Sequence, residues 1–529
     1  MKYPSSPLSS GLAAALLCLG AVTLDATVSL PTLFSDHMVL QREIPLPVWG
    51  EADPGEKVTV AIAGQIAETT AAEDGKWIVR LQPLSASTTP QQLRVSGEGN
   101  ELTFTDVLVG DVWVCSGQSN MEFDVEWSYS ANEAIPTANN PLIRLIDIPR
   151  NAQFKPVSEV PVSWSRCSPE VVKDFSAIGY FFARDIQQSE GIPIGLIGSN
   201  WGGTHAQAWI RLGALEANPT LKTYADAYQN VVNNFDARQK RYDEEFLPAW
   251  QVKYDAWEKE VAEAKAAGRK PANRKAPWKP LPPLSKRVPS SLYNGMIAPL
   301  IPYGIKGVLW YQGEANAKSP GDYQALFSTL IEDWRQQWGE GEFPFLYVQL
   351  AAYKQPPTLP DLRDQQTATL SVPNTAMALA IDVGNAGNIH PRNKRTVAKR
   401  LALAAQALAY GKDIVYAGPM FASLDIEGNR ARIHYTQTGS GLMIDSNPPR
   451  KPGEQPASAL DHLTGFEIAG ADGEFHPAQA MIEGECVVVS SDAVATPAAV
   501  RYGWAPAPEV NLYNREGLPA VPFTTAKNP

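Results

Sequence analysis

The run Val112-Trp113-Val114-Cys115-Ser116-Gly117-Gln118-Ser119-Asn120-Met121 sets the reading of the whole chain. Its first four residues are apolar, with β-branched valines, the composition of a short buried strand. The apolar run stops abruptly at a small, polar, glycine-containing turn. In open α/β sheets ligands bind beyond the carboxyl ends of strands. Ser119 is therefore a candidate nucleophile held exposed at such an end. Gly, Ser and Asn also make ordinary turns, so later segments must supply the partners that would make this serine useful.

Outward from this run the chain alternates strands and helices. Strands are predicted at 107–115, 192–198, 305–311, 344–350 and 376–382, with helices at 178–189, 322–338 and 396–411. Near-continuous apolar strands separated by helices predict an α/β domain with a parallel sheet covered on both faces, over 106–411. A polar, Ala/Glu/Lys-rich helical insertion interrupts it at about 215–289, and its Pro/Lys stretch 270–289 reads as an extended linker. Before the domain, short strands with turn signals such as Asp53-Pro54-Gly55 and Asp74-Gly75 predict an N-terminal β-sandwich over 27–105. After it, 412–529 reads as a second β region, with strands at 431–435, 465–469 and 485–490.

Composition narrows the function. The 529 residues carry a formal net charge of -11. The densest Lys/Arg run, at 266–287, is broken by prolines and alanines, so no nucleic-acid partner is expected. Residues 1–26 resemble a secretory signal: Lys2, then an apolar stretch at 11–24 too short for a comfortable span, then Ala26. No later stretch is long and apolar enough to cross a bilayer, so the mature chain is expected to be soluble and secreted or periplasmic. Cys115, Cys167 and Cys486 would remain, and a Cys115–Cys167 pairing stays open. Neither Cys-x-x-Cys nor His-Glu-x-x-His occurs, so neither a metal nor a cofactor is expected.

The predicted strands end in four loops with chemical uses. The first holds Ser119. The second is Gly198-Ser-Asn-Trp-Gly-Gly-Thr-His, with Trp201, Gly202 and Gly203. The third is Trp310-Tyr-Gln-Gly-Glu-Ala-Asn, with Gln312, Glu314 and Asn316, and the fourth runs from Asp382 to His390. In a parallel sheet all four emerge at one edge and can converge. A serine hydroxyl is a weak nucleophile until a base takes its proton, and histidine is the usual base near neutral pH. Of six histidines, His390 has the best context, because Pro391 suits the first position of a helix beginning there. His205 is the runner-up. A tetrahedral oxyanion needs preorganised donors, and each is worth about 2.7–4 kcal/mol.

Together the segments Gly-Gln-Ser-Asn-Met (117–121), Trp-Gly-Gly-Thr (201–204), Trp-Tyr-Gln-Gly-Glu-Ala-Asn (310–316) and Ile-His-Pro-Arg-Asn-Lys (389–394) resemble the sialate O-acetylesterase family of SGNH-type hydrolases. Val-Arg-Tyr-Gly-Trp (500–504) and Asn-Leu-Tyr-Asn-Arg-Glu-Gly-Leu-Pro-Ala (511–520) extend the resemblance over essentially the mature chain. It implies a flavodoxin-like, three-layer core with Ser119 as nucleophile and His390 as base. It also implies oxyanion contacts from the Ser119 N–H, a glycine of the 202–203 pair, and a side-chain amide, Gln312 or Asn316. Many such enzymes carry an Asp three residues before the histidine. Here that position is Gly387, leaving Asp382 as the nearest acid; otherwise Asn388 or a carbonyl orients a Ser-His dyad. Trp201 and Glu314 are candidate substrate contacts, and Glu314 can also brace its loop.

The function implied is an exported carbohydrate O-acetylesterase acting on sialic acid or other acetylated glycans through a Ser-His acyl-enzyme. Two alternatives belong to other classes. One is a non-catalytic carbohydrate-binding protein on a degenerate hydrolase fold. The other is a glycosidase using Glu314, which would need a second carboxylate about 5–5.5 Å away if retaining.

Overall fold

One strand carries the chain from its N-terminal β region into the α/β core. It runs from Glu101 to Gly117, 17 residues, in the computed structural model, which describes residues 27–445 and 460–526. Its first part pairs antiparallel with Ser87–Ser96 and parallel with Val39–Gln41. Its second part lies between two parallel partners, Ile194–Asn200 and Gly307–Tyr311. The expected signal segment, residues 1–26, lies outside the described residues.

The core sheet reads, edge to edge, Thr375–Leu379, Phe345–Gln349, Gly307–Tyr311, Glu101–Gly117, Ile194–Asn200 and Asn140–Asp147, with Ser165–Cys167 antiparallel at the far side. The other neighbours are parallel. The chain leaves the central strand to one side, returns beside it, and then builds the other side. That reversal creates a crevice at the carboxyl end of the central strand.

Register shows that both faces are covered. Gly307 is aligned with Trp113, so Trp310, three residues on, points to the opposite face. Trp113 meets Phe182 of the helix Ala177–Glu190 edge-on at 5.0 Å. Trp310 packs on Phe327 and Trp334 of the helix Tyr323–Trp338. The strands are accordingly apolar on both sides: Gly307–Tyr311 and Phe345–Gln349 are buried throughout.

The sequence reading did not include the strand Asn140–Asp147. Pro141 and Arg144 disguise it. The buried Arg144 is paired with Asp106, which accepts from its two terminal guanidinium nitrogens at 3.0 and 3.2 Å. The strand predicted at 376–382 ends earlier, at Leu379, so Asp382 lies beyond it.

The insertion is helical through Leu212–Ala217, Lys222–Asn233, Phe235–Arg241 and Leu247–Ala266, and the 270–289 stretch then folds back toward the core. The C-terminal region forms antiparallel sheets, one from Met420–Glu427, Arg430–Thr436, Cys486–Ser490 and Gln479–Glu483. It is tied to the core by the buried Arg363, which donates to the carbonyls of Leu350, Ala351, Ala505 and Pro506. Cys115 and Cys167 do not pair; both are buried free thiols, Cys115 against Gly179 and Cys167 with its Sγ 3.6 Å from the Ala138 carbonyl. Among the described residues, no helix is long and apolar enough to cross a membrane.

Candidate active site

Three loops begin at one level of the sheet because Gly117 is in register with both Asn200 and Tyr311. Only glycine fits at 117: φ is +131°, and a Cβ would stand 2.3 Å from the Tyr311 carbonyl oxygen. The chain then turns into the short helix Ser119–Glu122, whose first residue is the half-buried Ser119. Gln118 locks the turn to the third loop: its Oε1 accepts from Gln312 Nε2 (3.2 Å), Gly313 N (3.4 Å) and Ala315 N (3.2 Å).

The fourth loop brings His390 to Ser119, with Nε2 2.8 Å from Oγ. The predicted mount is corrected. The helix begins at Lys394, not at Pro391, because Asn393 caps it, its side chain accepting from the Thr396 N–H at 3.2 Å. His390 sits in the preceding loop, where Asn388 Oδ1 accepts its backbone N–H at 3.0 Å. Burial, and then the charge of Lys394, pushes the imidazole below its usual pKa, favouring the neutral form. Among the described residues its Nδ1 has no hydrogen-bond partner.

Asp382 is not brought to His390. Its carboxylate receives both guanidinium nitrogens of the buried Arg400, at 2.7 and 2.6 Å, and the Tyr513 hydroxyl at 3.1 Å. Asn388 contacts the histidine backbone and not its ring. His205 lies in the second loop, lowered in pKa by burial and then by Arg287, with a buried Nδ1 that has no partner among the described residues.

The candidate oxyanion donors divide by what already holds them. The Gly202 N–H is given to Glu122 Oε2 at 2.6 Å. Gln312 is fully buried; its amide faces Gln118 Oε1, the Thr204 carbonyl and Asn316 Oδ1, while its Oε1 accepts from Tyr323. Asn316 Oδ1 accepts from the Ala206 N–H and Gln312, and its Nδ2 donates to Gln207 at 3.2 Å. Among the described residues, the N–H groups of Ser119 and Gly203 have no acceptor. Trp201 is half-buried, its N–H on the Gly117 carbonyl and its ring under the Lys286 ammonium.

Two residues that the sequence reading gave no role complete the site from behind. Asn120 donates to Glu314 Oε1 and, at 3.1 Å, to the carbonyl of Ile389, and it accepts from Lys394 Nζ. Lys394 is fully buried over the rings of Phe123 and Tyr311, at 4.6 and 5.3 Å. Burial lowers its pKa to about 7 against the pull of Glu314. Burial raises Glu314 in turn: parts of the residue are accessible, but its Oε2 is shielded and unpartnered among the described residues. Asn120 thus ties the Ser119 turn to the backbone that carries His390. The signal was present as the residue after Ser119 and a lysine in the final helix's first turn, but polar residues there usually face water.

Comparison with known proteins places the chain in a class. The model of a carbohydrate esterase family, sialic acid-specific acetylesterase, matches residues 109–264 and 277–408, a span that holds all four loops. The chain is a carboxylic-ester hydrolase and belongs to this sialic acid-specific acetylesterase family of carbohydrate esterases. It is similar to the sialate O-acetylesterase of Mus musculus, 31% identical over 447 residues, covering 76% of this chain and 77% of that one. The Homo sapiens sialate O-acetylesterase is 31% identical over 445 residues, covering 76% and 75%. Among solved structures, a carbohydrate acetylesterase from Xanthomonas citri superposes with a TM-score of 0.77 at 36% identity, covering 95% of this chain and 100% of that one.

Proposed function

We propose that this chain removes O-acetyl groups from acetylated glycans, sialic acid among them, through an acetyl-enzyme on Ser119. The observation that carries the reading is the 2.8 Å contact between Ser119 Oγ and His390 Nε2 at the crevice of the sheet. A neutral His390 takes the Ser119 proton as Oγ attacks the acetyl carbonyl. The oxyanion is received by the N–H groups of Ser119 and Gly203, which have no other described acceptor. Asn316 is the better side-chain donor than Gln312, because the Gln312 amide is already surrounded by acceptors. The imidazolium returns its proton to the departing sugar hydroxyl, and water then repeats the path to release acetate.

His390 works in this reading as one half of a dyad. Its orientation comes from the backbone: Asn388 holds its N–H and Asn120 holds the preceding carbonyl. Glu314 braces Asn120 and is not assigned to a glycosidic oxygen. Trp201 and the exposed Trp127, whose neighbour Phe123 lies beside His390, are the aromatic surfaces offered to a sugar ring. The strand order and two-sided helical cover support assignment of 106–411 to a flavodoxin-like SGNH domain, flanked by β regions at 27–105 and 412–529. The apolar stretch at 11–24 supports export.

The test is hydrolysis of nitrophenyl acetate and acetylated sugars by the wild type and Ser119→Ala. The expected result is a loss of at least about 10⁴-fold in kcat. Equal rates would overturn the assignment of Ser119 as nucleophile.

A further inference from the structure

The peptide between Gly202 and Gly203 has to be rigid for Gly203 to serve as an oxyanion donor, yet it joins the two residues least able to hold a conformation. Gly202 leaves the space that Glu122 uses: a Cβ there would lie 2.5 Å from Glu122 Oε2 and 3.1 Å from the Cβ of Ser119, so the carboxylate would have to shift. Gly203 has φ +72°, in the left-handed region that favours glycine. The backbone at 203 therefore favours the most flexible residue where the chemistry demands order.

We propose that Lys286, delivered by the returning end of the insertion, is a positioning residue that fixes the orientation of the Gly202–Gly203 peptide. This rests on the reading of Gly203 N–H as an oxyanion donor. Lys286 Nζ donates to the Gly202 carbonyl oxygen. A trans peptide is planar, so its C=O and N–H point in opposite directions. Holding the carbonyl outward turns the Gly203 N–H the other way. A flipped peptide would instead aim the carbonyl dipole at the developing oxyanion.

The neighbouring peptide is held as well, since Glu122 Oε2 takes the Gly202 N–H and Arg150 pairs with Glu122 Oε1. Gly202 is thus held at its N–H by a carboxylate that accepts and at its C=O by an ammonium that donates. The lysine is itself well held: half-buried, its ammonium 5.6 Å from the Trp201 ring centroid, on a segment anchored by the Ser290 N–H to the Gln207 carbonyl at 2.9 Å. The end of the insertion, which from sequence reads as an extended linker, becomes a part of the catalytic apparatus.

The experiment compares wild type, Lys286→Met, Lys286→Gln and Lys286→Arg with nitrophenyl acetate, and records the infrared carbonyl band of the acetyl-enzyme formed from carbonyl-labelled substrate on rapid mixing. Lys286→Met should lower kcat by about 100-fold with KM nearly unchanged, and shift the acetyl band to higher frequency as its hydrogen bonds weaken. Lys286→Gln tests the same loss should the methionine variant not fold, and Lys286→Arg should restore most of kcat and the band. A wild-type band at the frequency of a water-solvated ester would overturn the Gly203 reading itself. A lowered wild-type band that persists in the folded Lys286→Met or Lys286→Gln variant, with kcat intact, would overturn the role of Lys286 alone.

Discussion

Both carboxylate oxygens of Asp382 are bound by Arg400, at 2.7 and 2.6 Å, in a pair that is almost wholly buried. With Tyr513 on the same carboxylate, the pair fastens the C-terminal region to the core. Removing one partner of a buried pair costs about 3–5 kcal/mol, because the other charge is left unpaired. Asp382→Asn is expected to lower the thermal unfolding midpoint strongly. The kcat of the folded enzyme should fall far less than the roughly 10⁴-fold that loss of a triad carboxylate produces. A 10⁴-fold fall at an unchanged melting temperature would return Asp382 to the catalytic set.

Activity should depend on pH through His390. Burial and Lys394 hold its pKa below the usual 6.5, and the base must be neutral to accept the serine proton. kcat/KM should therefore rise with pH along a limb whose midpoint lies below 6.5 and should be level above it. Lys394→Met removes a positive neighbour, so the midpoint should move up. A midpoint that moved down in this variant would show that Lys394 does not act on the imidazole by its charge.

Asn120→Ala should disconnect the turn at Ser119 from the loop at His390. The variant loses the bonds to Glu314, Ile389 and Lys394 together. Leaving buried polar groups unsatisfied costs about 1–3 kcal/mol each, and small displacements of reacting groups cost on the order of 10²-fold in rate. The expected result is a fall of that order in kcat with a much smaller change in KM. A change in KM alone would assign Asn120 to substrate binding instead.

Gly117→Ala places a methyl group 2.3 Å from the Tyr311 carbonyl on a backbone with φ +131°. Strained conformations of this kind cost about 1–3 kcal/mol before any clash. The variant should melt at lower temperature and lose activity even though Ser119 and His390 are intact. Wild-type kinetics would show that the turn has slack that this geometry denies.

Much of the architecture was legible because it rests on local periodicity. The apolar runs 192–198, 305–311 and 344–350 lie within two residues of the observed strands, since strands buried on both faces leave continuous apolar runs. Asn140–Asp147 was not legible, because the charge that disqualifies it locally, Arg144, is neutralised by Asp106 from another strand. The loops of the site were legible as strand ends rich in Gly, Ser, Asn and Gln. Their internal division of labour was not: Gln312 and Asn316 look alike until their acceptors are known.

The sequence by itself determined the α/β core with its later β regions, the four loops that face one edge, and the family to which they belong. Those follow from patterns a chain carries along its length. Only the tertiary structure decided that Asp382 serves Arg400, that Lys394 and Asn120 stand behind Ser119, and that Lys286 reaches Gly202 from 84 residues away. Hydrogen bonds are short and directional. Which polar group meets which is set by packing of distant segments, and no local pattern encodes that choice.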